Sequence, residues 1–403
     1  MTIHQAYPLP LIPKDPVLSW RALFGGKGSE IASFLSLGRL QFLTSGRMGI
    51  ANALRSLGVQ AGDRVLVPAY HCNAMIEPVV WLGATPVFYR ISSGAGVDLE
   101  DVARQLREGG AQAMLVTHYF GFPQDILAIS EFCHEHQLPF LEDCAHAFFG
   151  EVGGKPIGSF GEYAIASPWK FFPIYDGGCI AVRARDGNAS ELRYPGLSFQ
   201  IKSAINTLES ALHYRRLGAV RHMVTPFLWL KDIIWRSTKR MAGPGMARLS
   251  VAPSSAEGGT SFEPQWMDKR MSLASRLLMQ SSSFSRIISR RRKHFQRLLE
   301  ACKDMPGCRP LFPELPEKVV PYAFPLIVDE PERVFVILKQ AGVPIIRFGE
   351  VLWPGVDESV CPISVEFSRK VFQFPCHQEL DDSELEWMID IIACTLKSAQ
   401  PSR

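Results

Sequence analysis

Between about residues 40 and 185 the chain alternates short, almost wholly apolar runs with segments of helical periodicity, a pattern few folds accept. The apolar runs are 64–68 (RVLVP), 85–89 (TPVFY), 113–117 (AMLVT), 138–142 (LPFLE), 163–167 (YAIAS) and 178–183 (GCIAVR). Helical segments fall between them at 47–58, 73–82, 98–108 and 125–136. A strand that is apolar on both sides needs cover on both faces, and the alternating helices supply it. The expected class is α/β, a large domain with a mostly parallel mixed sheet covered by helices. Ligands on such sheets bind outside the carboxyl ends of strands. His118, Asp143 and Ser167 sit at or just past such ends, so the fold would bring them together.

The rest of the chain reads differently. Residues 1–185 form the large domain, with 1–40 as an N-terminal arm. Residues 186–262 are an atypical helical and loop insert with more basic than acidic residues, whose Gly/Pro/Ser-rich part, 242–260, reads as a loop. Residues 263–317 are a helical linker returning to the core, helical over 265–303, with a basic run at Arg290-Arg291-Arg292-Lys293. Residues 318–403 give a strand (YAFPLIV), a helix (ERVFVILKQAG) and a final amphipathic helix after Leu380-Asp381-Asp382, a smaller C-terminal α+β domain.

Composition excludes some partners. A net charge of +3 is too small to imply nucleic acid. The nine cysteines include no C-x-x-C pair, and several lie in apolar runs, as reduced buried thiols do. The first residues, MTIHQAYPLPLIPKDP, lack the basic and apolar regions of a signal peptide, and no apolar run is long enough to span a bilayer. A cytoplasmic setting is expected. No metal site is expected either: Cys133, His134 and His136 share a helix without partners at ligand spacing. Gly153-Gly154-Lys155 reads as a hairpin turn, not a phosphate loop.

Lys170 follows Ser167-Pro168-Trp169 and precedes Phe171-Phe172-Pro173, a poor context for a solvent-facing lysine. An amine in apolar surroundings has a lowered pKa and becomes nucleophilic. Upstream lies Glu142-Asp143-Cys144-Ala145-His146. A carboxylate ending one buried strand, with a lysine on a loop after a later one, is what pyridoxal phosphate requires. The amine holds the aldehyde as a Schiff base, and the carboxylate keeps the pyridine nitrogen protonated. Each residue also has a plainer reading. Asp143 could cap a helix, His118 and His146 could be packed histidines, Ser167 could end its strand, and Cys72 could be a small buried residue.

In order and spacing the chain resembles the DegT/DnrJ/EryC1/StrS aminotransferases, fold-type I pyridoxal phosphate enzymes. The likeness runs through Ser45-Gly46-Arg47, Gly62-Asp63-Arg64-Val65-Leu66-Val67-Pro68, Leu82-Gly83-Ala84-Thr85-Pro86-Val87-Phe88, His118-Tyr119-Phe120-Gly121, Glu142-Asp143-Cys144-Ala145-His146-Ala147, Gly158-Ser159-Phe160-Gly161 and Asp176-Gly177-Gly178, and returns weakly at Arg270-Met271-Ser272 and Phe374-Pro375. The resemblance implies that Lys170 is the Schiff-base lysine and Asp143 the partner of the pyridine nitrogen. It implies that His146 lies near the phenolic oxygen. The phosphate would be taken by Ser45, the backbone of Gly46 and Arg47 at a helix start, and Ser167. Cys72 stands where the family commonly places an aromatic residue over the ring, with His118 nearby as a further cofactor contact. Other departures are Arg47, where Thr or Ser is common, Asp268, where Asn is expected, and the two residues, Pro168 and Trp169, that separate Ser167 from Lys170 in place of about five.

The implied activity is transfer of an amino group from an amino-acid donor to a keto-sugar, expected to be nucleotide-linked, in polysaccharide or secondary-metabolite biosynthesis by a homodimer. The short lysine loop and the insert leave two alternatives: a pyridoxal phosphate lyase, dehydratase or condensing enzyme on another substrate, and a non-catalytic scaffold. Within the insert, the apolar residues of 227–235 beside Lys231, Arg236, Lys239 and Arg240 suggest either packing on the protein itself or weak contact of 227–240 with an anionic membrane surface.

Overall fold

The computed structural model describes residues 11–23, 30–183, 191–218, 222 and 262–399. The strands of the first half are β1 Arg39–Leu43, β2 Arg64–Pro68, β3 Thr85–Tyr89, β4 Ala113–Thr117, β5 Phe140–Asp143, the short pair β6 Glu151–Val152 and β7 Lys155–Pro156, β8 Tyr163–Ala166 and β9 Gly178–Val182. Seven of them make one sheet in the order β1-β9-β8-β5-β4-β2-β3. Pairing is parallel from β3 through β8, while β9 runs antiparallel to both β8 and β1. Every residue of β4, β5, β8 and β9 is buried, which is why these strands carry no polar alternation. Helices α1 Gly46–Ser56, α2 Asn73–Trp81, α3 Leu99–Gly109 and α4 Ile126–Glu135 lie within a residue or two of the segments read from periodicity. Asp98 and Asp125 cap α3 and α4 by accepting from Asp101 N and Ala128 N.

β1 was not among the expected strands. Its sequence, RLQFL, mixes polar and apolar residues because it lies at the sheet edge and is only partly covered. The helical reading over 265–303 also divides, into α6 Leu273–Ser281 and α7 Phe284–Cys302, with α5 Leu197–His213 before them. Two serines make the break. Ser272 accepts from Ser275 N and Ser283 from Arg286 N, so each helix starts on its own cap.

The second sheet, β10 Cys308–Pro310, β11 Ala323–Val328, β12 Ile346–Arg347 and β13 Val371–Pro375, has the order β10-β11-β13-β12 and is antiparallel throughout. It carries α8 Pro331–Gln340, α9 Pro362–Lys370 and α10 Asp382–Ala399. One apolar cluster joins Tyr70, Val116 and Phe120 of the large sheet's helices and strand ends to Phe324 and Phe372 of the small sheet. The small sheet is thereby seated over the carboxyl ends of the large one. Among the described residues no helix is long and apolar enough to cross a membrane, and the segment 227–240 lies outside them. All nine cysteines are free thiols.

Candidate active site

A cavity of about 270 Å³ opens where β5 and β8 end, between the starts of α1 and α2 and beneath the small sheet. Ser45, Gly46, Arg47, Cys72, Asp143, His146, Ser167 and Lys170 all line it. His118 does not.

Lys170 closes a single 3-10 turn, Pro168–Lys170, started by Ser167. Its backbone N–H donates to Ser167 O at 3.1 Å. Its Nζ lies 5.3 Å from the centre of the Tyr322 ring and 5.8 Å from that of Trp169. Burial pushes the amine below the usual lysine range, against the opposing pull of Cys72 and Asp143.

Asp143 ends β5 and is 3% exposed. Its Oδ1 accepts from Ala145 N at 2.9 Å. Burial raises its pKa, while the Ala145 hydrogen bond and the Lys170 charge oppose the shift. His146 stacks on Tyr322 with ring centres 4.6 Å apart. Its Nδ1 accepts from Phe120 N at 3.3 Å. That bond puts the ring proton of a neutral imidazole on Nε2. Burial first, then Lys170, hold the pKa of His146 well below its usual value, so the ring stays neutral. The donor to Nδ1 is itself held in an uncommon conformation: Phe120 has φ 56°, and its carbonyl accepts from Tyr322 N at 2.7 Å.

Ser45 precedes α1 without capping it through its side chain, so the first N–H groups of an 11-residue helix face the cavity. Ser167 Oγ stands across from them. A Cβ on Gly46 would lie 2.3 Å from that oxygen, so only glycine lets helix and hydroxyl approach. Gly178 is glycine for the same kind of reason, since its Cβ would fall 2.2 Å from the Ser45 carbonyl. Arg47 turns its guanidinium toward Glu77, at 3.9 Å. Cys72 starts α2 on the cavity wall, and burial raises its thiol pKa.

His118 is fully buried with both ring nitrogens engaged. Nε2 lies 3.1 Å from Glu142 Oε2, and Nδ1 accepts from Gln124 N at 3.1 Å. Glu142 also accepts from Gly158 N, Phe160 N and Gly161 N. Burial raises the Glu142 pKa, but these hydrogen bonds outweigh it and hold the carboxyl below its ordinary range. The pair therefore fixes the turn entering β8. Together with Cys144 these residues form the one group of three metal-type donors within 4.8 Å of one another among the described residues, but the Glu142 and His118 atoms are already spent on hydrogen bonds. Glu142→Gln is expected to destabilise the protein by about 2–3 kcal/mol at neutral pH, because an amide NH₂ would face N–H donors. The native carboxylate's stabilisation is present above its unfolded pKa and fades as pH falls through the folded one. Denaturant melts of both proteins should therefore converge in acid.

Several wall residues had no sequence signal. Lys14 comes from the N-terminal arm, Gln373 from β13, and Tyr322 and Phe348 from the residues just before β11 and just after β12. Gln373 Nε2 is buried without a hydrogen-bond partner among the described residues. Asp176, first of the Asp-Gly-Gly motif, accepts from Ser203 Oγ, Ser272 N, Ser272 Oγ and Ser275 Oγ, and so pins α5 and α6 to the lysine loop.

A parallel sheet with a reversed strand β9, a small antiparallel sheet over its carboxyl edge and a lysine on the intervening loop make the fold that of fold-type I pyridoxal phosphate enzymes. An aminotransferase of Helicobacter pylori, PseC, superposes with a TM-score of 0.63 over 90% of this chain and 88% of its own, at 15% identity. TlmJ of Streptoalloteichus hindustanus gives 0.58 over 89% and 86%, at 20% identity. The model of the DegT/DnrJ/EryC1/StrS aminotransferase family matches residues 29–215. GDP-perosamine synthase of Vibrio cholerae is 34% identical over 145 residues, which is 36% of this chain and 38% of that one. L-glutamine:scyllo-inosose aminotransferase of Streptomyces griseus is 31% identical over 126 residues, 31% and 30% of the two chains. The chain thus spans well under half the length of these curated relatives.

Proposed function

We propose that the protein is a pyridoxal phosphate-dependent aminotransferase that moves an amino group from an amino-acid donor to a keto-sugar. The observation that carries this reading is one cavity holding an amine that forms no ion pair among the described residues, a buried strand-end carboxylate and an uncapped helix start. The wall fits the cofactor. Gly46 leaves the space a phosphate needs beside Ser167 Oγ, and Gln373 Nε2 is a buried donor awaiting an acceptor.

In this reading Ser45, Ser167 and the N–H groups of Gly46 and Arg47 bind the phosphate. Asp143 would hold the proton on the ring nitrogen, and Nε2–H of His146 would donate to the ring oxygen. The bound cofactor supplies an aldehyde and an electron-accepting ring. Lys170 Nζ would anchor the cofactor and, as a free amine, would take the proton from the donor's α-carbon as base and give it back as acid. Cys72, on the cavity wall at the start of α2, would contact the ring where an aromatic residue is more common.

The acceptor has room nearby. A second cavity of about 590 Å³ shares Lys14 and Trp169 with the first. Tyr175 and Tyr214 offer it flat apolar faces, and Asn206, Glu209 and His213 offer it polar groups. Rings beside hydrogen-bonding side chains suit a sugar. The family relatives whose names specify amino transfer to sugars or to scyllo-inosose support this class, with a glutamate or glutamine donor. A homodimer in the cytoplasm is the accompanying expectation.

The reading is tested by mixing the cofactor-loaded protein with L-glutamate or L-glutamine, without acceptor, and recording the absorption spectrum. Transamination accumulates the amine form of the cofactor with stoichiometric keto acid. Persistent turnover of the donor without that accumulation would instead support a lyase. Ser167→Ala should weaken cofactor binding by about 1 kcal/mol, roughly fivefold, the scale of one lost charge-assisted hydrogen bond. An unchanged dissociation constant removes Ser167 from the phosphate site.

A further inference from the structure

The basic run 290–293 is not a surface patch throughout. The buried side of α7 carries Ile287, Ile288, Arg291, His294, Phe295, Leu298 and Leu299, spaced as one helical face. Arg291 occupies an apolar position on that face and is 0% exposed. Its neighbours in the run point outward, Arg290 and Lys293 each 3.1 Å from Asp382.

No carboxylate forms an ion pair with Arg291 among the described residues. Its Nη2 donates to Lys170 O at 2.7 Å. Its Nη1 donates to Tyr322 O at 3.0 Å and Pro321 O at 3.2 Å, and its Nε donates to Gln378 Oε1 at 3.0 Å. The guanidinium carbon lies 4.4 Å from the centre of the Phe171 ring. Gln378 completes the arrangement, donating from Nε2 to Phe171 O at 2.8 Å. Two consecutive carbonyls of the lysine loop are therefore held by side chains from elsewhere in the chain. The same guanidinium holds the carbonyl of Tyr322, whose ring faces the Lys170 amine and stacks on His146.

Resting on the reading of Lys170 as the reactive amine, we infer that Arg291, with Gln378, is a positioning residue that sets the Lys170 loop against Tyr322. A buried cation held by neutral carbonyls is a costly way to fill an apolar slot. What the planar fork gives, and a hydrophobic side chain cannot, is simultaneous registration of two backbone segments and the Gln378 side chain on fixed directions.

The test uses the full-length protein stripped of cofactor, labelled with trinitrobenzenesulfonate across a pH series, with Lys170 modification followed by peptide mass spectrometry. A loop released from the clamp lets water reach the amine, so its labelling midpoint rises. Arg291→Lys and Gln378→Leu are each expected to raise the midpoint by about one pH unit, a roughly tenfold slower reaction at pH values below it. Arg286→Met is the control. Arg286 sits on the same helix and holds Gln378 O and Glu379, so its loss should lower the melting temperature and leave Lys170 labelling unchanged. If Arg291→Lys and Gln378→Leu melt lower but label Lys170 at the wild-type midpoint, the role is structural and the inference fails. A shift in Arg291→Met but not in Arg291→Lys also overturns it, since charge alone would then be acting. Should neither Arg291 variant fold, Gln378→Leu decides. Because no cofactor takes part, a protein that never binds pyridoxal phosphate would sink the proposed function and leave this measurement readable.

Discussion

Borohydride treatment of the cofactor-loaded protein should fix pyridoxal phosphate on Lys170, and Lys170→Ala should lose both that adduct and transamination. The expected loss of turnover is about 10⁴-fold or more, because one substitution removes the covalent anchor and the proton carrier together. Peptide mapping has a built-in competitor, since Lys14 lines the same cavity. An adduct on Lys14 would show that the lysine has been misassigned. The fold should survive, because Lys170 Nζ makes no ion pair among the described residues. Stability should even rise, with a definite pH dependence. The folded-state pKa of Lys170 lies below its ordinary value of 10.5. Keeping it as a buried ammonium therefore opposes folding below that folded pKa, and the penalty fades as pH climbs toward 10.5. The gain from Lys170→Ala in the cofactor-free protein should be largest near neutrality and shrink in alkali.

How far the sequence led depended on which interactions are local. Strands β2 and β4 fall where apolar runs were read, because burial on both faces leaves an unbroken apolar signature, and β3 was read from its apolar run although it is a partly covered edge strand. Helix starts were legible at α3 and α4, where Asp supplies the cap, but the Ser-capped starts of α6 and α7 were read through as one helix. The edge strand β1 was not, since its pairing with β9 lies more than a hundred residues away and its composition is mixed. The same division holds in the site. Asp143, Ser167 and Lys170 lie on strand ends and the following loop, and their spacing exposes them. His118 shares that position, yet its partner is Glu142 one layer inward, a matter of side-chain direction that spacing does not encode. Tyr322, Phe348 and Gln373 reach the cavity only because the small sheet docks over it. Arg291 was half legible. The apolar periodicity of α7 places position 291 on the inner face, but four consecutive basic residues read more simply as a solvated stripe.

Asp143→Asn separates the electronic role of the carboxylate from its shape. The amide keeps the size of the side chain, and its oxygen can still accept from Ala145 N. What it cannot do is hold a proton on the ring nitrogen of the cofactor, so the ring loses its capacity to take up electrons. Turnover should fall by about 10²–10⁴-fold, while cofactor affinity, carried mainly by the phosphate contacts, should fall less than about tenfold. Without cofactor the balance reverses. Burial raises the Asp143 pKa above 3.8, so the folded protein binds this proton more tightly than the unfolded chain. Stability from the protonated form is complete below the unfolded pKa and is lost as pH rises through the folded one. At neutral pH the ionised carboxylate is thus a burden that asparagine removes. The cofactor-free Asp143→Asn protein should melt higher than wild type at pH 7 and show no such advantage near pH 3. A buried charge retained against stability at a strand end is the pattern expected of a group kept for its chemistry. An Asp143→Asn enzyme within threefold of wild-type turnover would remove Asp143 from the mechanism, whatever its melting temperature.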